Sequence, residues 1–142
     1  LKTPPVFYPQ LIGMRAVAFA QAGQPAEGLK LVEGLLKDVD EAMLLRELSP
    51  MLLLKGDLLL AISSENTDEV ARIFRTILAG NVHFGGKILA LQAATRLCKL
   101  EMKDSKRGEG CKALAEIYDS FTEGFDTFDL QAARAVLDEV QA

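Results

Sequence analysis

This chain has no tryptophan, little aromatic character (6%), one histidine and two cysteines in 142 residues. Each scarcity excludes something. His83 is the only imidazole, and no HExxH pattern occurs, so a conventional histidine-based metal set cannot be assembled. The net charge is −4 and the pI near 5.0, which leaves no basic excess to draw the whole domain toward nucleic acid or anionic lipid. The longest apolar run, Met51 to Ile62, carries Lys55 and Asp57 and is too short to span a bilayer. No secretory signal precedes Cys98 and Cys111, so the expectation is a cytoplasmic setting with both thiols free and packed as small hydrophobes. Strand signals are nearly missing as well.

What is present is helical periodicity. Hydrophobic residues make up 49% of the chain and charged residues 25%, enough for a core in one domain. Leu29, Val32, Leu36 and Val39 form one stripe. Val70, Ile73, Phe74 and Ile77 form a second, Leu114, Ile117, Tyr118 and Phe121 a third, and Leu130, Ala133, Leu137 and Val140 a fourth. Short breaks rich in Gly, Pro, Ser, Asn and Asp separate them. The pattern predicts seven helices, near 8–22, 26–41, 44–62, 68–81, 87–103, 108–122 and 127–141, after an extended segment 1–7.

Six of these helices read as three hairpins, about 8–41, 44–81 and 87–122. In each, a small residue before the turn (Ala16, Gly56, Cys98) has a small or short counterpart after it (Gly28, Val70, Gly110). Helices cross closely only where side chains are minimal, and tetratricopeptide repeats use this placement. Positions 28, 70 and 110 lie further apart than the roughly 34 residues of an ideal repeat of that kind. The expected fold is all-α: a single domain, 1–142, of antiparallel hairpins stacked as a short, right-handed, tetratricopeptide-like solenoid. The last helix, about 127–141, reads as a cap, with Asp126 as its N-cap residue and Phe125 stapled to Leu130.

The junction Ile117-Tyr-Asp-Ser-Phe-Thr-Glu-Gly-Phe-Asp-Thr-Phe-Asp-Leu130 and the run Leu53-Leu-Lys-Gly-Asp-Leu-Leu-Leu60 carry a family resemblance. They resemble the C-terminal helical-repeat region of bacterial class III adenylate/guanylate cyclases and of STAND-type ATP-dependent transcriptional regulators. The resemblance runs from about Leu11 to Val140, and it implies a regulatory arm of a multidomain signalling protein. The start at Leu1 fits a fragment of such a protein. None of the catalytic residues of the upstream domains occurs here, so no catalytic role is carried over. Glu101 stands where the repeat pattern expects an aromatic, and Ser105 where it expects glycine.

Motifs with chemical meaning are weak. Gly80-Asn-Val-His-Phe-Gly-Gly-Lys87 approaches a phosphate loop, but its lysine is one place late and Ile88 replaces the magnesium-binding hydroxyl. Asp38, Asp40 and Glu41 read as a solvated acidic edge. No cofactor, metal or enzymatic activity is expected. Function is expected in the concave groove lined by the first helix of each hairpin. The candidates are Val17 and Gln21, with Gly13 and Ala20, from the first hairpin. Leu53, Asp57 and Leu60 come from the second, and Gln92, Thr95, Arg96, Lys99 and Lys103 from the third. An apolar floor with a basic wall suits an acidic peptide or helix, or another domain of the parent chain; Arg96, Lys99 and Lys103 equally fit a plain solvated face. Self-association is the further expectation for the N-terminal face around Phe7, Tyr8 and Leu11, which has no cap. The alternative function is sensing of a small ligand within the groove.

Overall fold

The computed structural model describes residues 8–81, 86–104 and 108–142. The expectations for residues 1–7, for His83 and for Ser105 lie outside them. Among the described residues the chain is all-helical, with eight helices: α1 (Tyr8–Gln21), α2 (Pro25–Leu36), α3 (Glu41–Glu47), α4 (Ser49–Ile62), α5 (Thr67–Asn81), α6 (Lys87–Lys103), α7 (Glu109–Asp119) and α8 (Phe128–Gln141). None of these is long and apolar enough to cross a membrane. The chain divides into two compact units, one up to Val70 and one from Ala71 onward, so the division falls inside α5.

One helix expected over 44–62 is two. Pro50 has no N–H and its ring would crowd the carbonyl one turn back, so an uninterrupted helix is disfavoured there. The chain breaks at Leu48 (φ −114°, ψ 10°), and α4 restarts with the proline in its first turn, where the missing donor costs nothing. The acidic edge also changes meaning. Asp40 caps α3, its Oδ1 accepting from the Met43 amide at 2.8 Å. Asp38 takes the left-handed conformation (φ 62°) in the turn after α2, which a short polar side chain tolerates.

In the first unit α1 and α2 form an antiparallel hairpin whose crossing is the predicted one. A Cβ on Gly28 would lie 2.6 Å from the Ala16 carbonyl oxygen, so any side chain there would push the helices apart. α4 packs on α2 and reaches α1. Ala16, Val32 and Leu58 form the buried centre, with Leu29, Leu36, Met51 and Leu54 packed around them. Of the predicted stripe on α5, the helix the division cuts, Val70 is buried on the first-unit side, and Phe74 and Ile77 are buried on the second-unit side with Ile73 half-buried.

The second unit repeats the theme with α6, α7 and α8. At the α6–α7 crossing, a Cβ on Gly110 would meet Leu97 Cγ at 2.6 Å and the Cys98 amide nitrogen at 3.0 Å. This approach brings Cys98 and Cys111 to a Cα–Cα distance of 4.4 Å, and the two are joined as a disulfide. The expectation of free thiols is therefore corrected, although both residues sit in the core as predicted. With no free thiol, the argument for a cytoplasmic setting loses its premise.

Glu101, where an aromatic was expected, has a structural use. Its carboxylate accepts from the amides of Gly108 (3.2 Å), Gly110 (2.9 Å) and Cys111 (3.1 Å). It thus satisfies the first turn of α7 from across the hairpin, where Gly108 at the N-cap has no side chain to do so. An aromatic at that position could accept none of these bonds.

α8 covers the α6–α7 pair through Leu130, Ala133, Val136 and Leu137, which are buried together with Leu91, Cys98 and Leu114. Its start differs from expectation. The helix begins at Phe128 after Thr127, not after Asp126, and no side chain caps it. The Thr127 hydroxyl instead donates to the Gly124 carbonyl at 2.7 Å, holding a tight turn in which Gly124 takes φ 79°. Phe125 is 46% exposed and lies against the Tyr118 ring (5.7 Å between centroids), so it is at most partly packed.

Candidate functional site

Within the first unit, α1 and α4 leave an open groove of about 560 Å³. Helix geometry decides its lining. Gln10, Met14, Val17 and Gln21 recur at three- and four-residue spacing on one side of α1, and Ala16 points to the opposite side, into the core. Pro50, Leu53, Leu54 and Asp57 do the same on α4. Gly13 makes the close point of the groove. A Cβ there would lie 2.9 Å from Met51 Cε, so the methionine sulfur and methyl occupy the space a side chain would need. The walls remain open to solvent: Met14 is 69% and Val17 40% exposed.

Four of the candidate residues, Val17, Gln21, Leu53 and Asp57, line this groove together, and Gly13 with them. Leu60 is half-buried and does not reach it; Ala20 packs against the core instead. Sequence reasoning missed Gln10, Met14, Ala18, Pro50, Met51 and Leu54. The available signal was the 10–14–17–21 stripe on α1, which is as regular as the core stripe but faces away from it.

The other five candidates belong to the second unit. Gln92 Nε2 donates to Asp129 Oδ1 (3.1 Å), tying α6 to the first turn of α8. Thr95 is buried, and its hydroxyl returns to the Leu91 carbonyl at 2.7 Å. A short hydroxyl on a helix satisfies itself this way without any outside partner. Arg96 Nη1 donates to the Gln92 carbonyl (3.2 Å), while Lys99 and Lys103 are exposed. Of the proposed basic wall, the two lysines are solvent-facing and Arg96 is half-buried along its own helix.

Lys87, the last residue of the loop that resembles a phosphate site, is the first residue of α6. Its Nζ donates to the Ser120 carbonyl (2.8 Å) at the end of α7 and stands 4.6 Å over the Phe121 ring. A cation at a helix C-terminus and over an aromatic face is stabilising in both respects. The lysine is used structurally.

The α1–α4 groove is therefore mainly apolar, with Gln10, Gln21 and the half-buried Asp57 among its lining residues. No family model, no curated protein and no solved structure matches this chain.

Proposed function

We propose that this chain is a non-catalytic interaction module: a tetratricopeptide-like stack of helical hairpins that holds an apolar segment of a protein partner, or of its own parent chain. One observation carries the reading. The α1–α4 groove exposes Met14 and Val17 over a floor built from Met51, Leu53 and Leu54. Methionine-rich open grooves adapt to irregular apolar partners, and an amphipathic helix fits a cleft of this kind through residues spaced by three and four. The resemblance to the arms of cyclases and ATP-dependent regulators is in keeping with that role. Lys99 and Lys103, on which the expected acidic character of a partner rested, belong to the second unit and form no part of this groove.

Selection of binding peptides from a displayed random library tests the proposal. The expected winners are amphipathic sequences whose affinity falls about tenfold or more when Met14 and Val17 are both replaced by serine, the loss of two interfacial contacts. Winners that bind the Met14→Ser/Val17→Ser variant unchanged would sink the groove assignment. The alternative reading, a small-ligand sensor, draws on the same groove, whose volume lies in the range of drug-sized sites. A ligand of that kind raises the melting temperature of the folded chain by mass action, and a metabolite panel would reveal it.

A further inference from the structure

A second surface, independent of the groove, lies in the second unit where three helix ends gather. The Lys87–Ser120 bond puts the start of α6 beside the end of α7, and the Gln92–Asp129 bond puts the start of α8 beside α6. The connection between α7 and α8 runs across this end. It is held in shape by the Gly124 turn, by the Thr127 amide and hydroxyl on the Gly124 carbonyl, and by the Tyr118–Phe125 ring contact. On this framed segment Phe128 is 82% exposed and Phe125 46%. Ile88, one turn before Gln92 on the same side of α6, is exposed too. Two phenylalanines held in water by an ordered turn are the composition of an interface core, not of an ordinary surface.

The chain segment that carries them has charge of one sign. Glu116, Asp119, Glu123, Asp126 and Asp129 fall within the same stretch, 116–129, which has no lysine or arginine. Lys87, which α6 brings to this end, is already engaged by Ser120 and Phe121. This selects among occupants. An anionic membrane or a nucleic acid would be repelled. A second copy docked by two-fold symmetry would set the acidic stretch against itself, an arrangement that like charges disfavour. We propose that the α7–α8 junction is a docking surface for a cationic amphipathic segment of another protein, with Phe125 and Phe128 as its apolar contacts.

The test is fluorescence anisotropy with a short fluorescein-labelled peptide of Lys and Leu, helical in pattern, beside Glu/Leu and Lys/Ser counterparts. The Lys/Leu peptide is expected to bind, and Phe128→Ser to weaken it about tenfold, as loss of an anchor does. Glu123→Gln with Asp126→Asn should weaken it by a smaller factor and flatten its dependence on salt, because exposed charges are screened. Phe128 is nearly fully exposed, so its variant keeps the parent's melting curve; Phe125→Ser is the second probe if it does not. The proposal is overturned if the Lys/Leu peptide does not bind, if Phe128→Ser binds it unchanged, or if the Glu/Leu or Lys/Ser peptide binds equally well. Loss of binding in the Met14→Ser/Val17→Ser variant would overturn it in favour of the groove. Self-association abolished by Phe128→Ser would do so in favour of a second copy.

Discussion

Glu101 shows how one side chain can cap a helix from across a hairpin. A glutamate where the repeat pattern wants an aromatic looks like a defect, yet its carboxylate collects three amides at the start of α7. Those donors have no partner within their own helix, and Gly108 cannot supply one. Glu101→Ala should therefore lower stability by about 1–2 kcal/mol, the usual range for a lost cap, while Glu101→Gln, which keeps one acceptor oxygen, loses less. Urea denaturation of the two variants side by side checks this; equal midpoints for Ala and wild type would mean the three bonds carry no net stability. Gly28 and Gly110 make the complementary point about residues that must be absent. At both crossings a single methyl group would collide with the facing helix.

Among the elements, α8 has two kinds of aromatic and aliphatic residue at its start, and only the structure separates them. Leu130 is buried against α6 and α7, whereas Phe125 is half out of the core and Phe128 almost wholly so. Leu130→Ala is expected to cost on the order of 2–5 kcal/mol, the transfer term plus the cavity it leaves. Phe125→Ala should cost clearly less than the 3–5 kcal/mol of a fully packed ring, because nearly half of it stays in water. Denaturation midpoints in that order support α8 as a packed lid on the hairpin, and a reversal would mean that Phe125 is fully packed after all. On α4 the lesson concerns Pro50. The periodicity of 44–62 carries straight through it, and the break at Leu48 is a backbone effect that hydrophobic spacing cannot report.

For the molecule as a whole, the consequential feature is the covalent link inside the second unit. The Cys98–Cys111 bond closes a short loop across the α6–α7 crossing. In the chain-entropy picture a loop of this length contributes about 3 kcal/mol, by narrowing the unfolded ensemble. Reduction should therefore speed amide exchange in α6 and α7 and leave α1 and α2 unchanged. Hydrogen exchange read by mass spectrometry, with and without a dithiol reductant, measures both regions at once. Uniform acceleration, or none, would show that the link does not act locally.

Most helix positions, and two of the three predicted crossings, were readable because they are local. Apolar spacing of three and four residues marks a buried face whatever it faces, and a helix crossing announces itself by small residues on both strands of a hairpin, as at Ala16–Gly28 and Cys98–Gly110. About half of the candidate groove was readable on the same grounds, since Val17, Gln21, Leu53 and Asp57 share faces of α1 and α4. Everything that needed a partner distant in sequence was settled by packing. Glu101 found the α7 amides, Lys87 found the end of α7, the cysteines found each other, and Thr95 was buried while Met14 was left in solvent. Periodicity states that a residue lies on a face; only the third dimension says what the face meets, because contact depends on how helices cross and not on how residues are spaced along one of them.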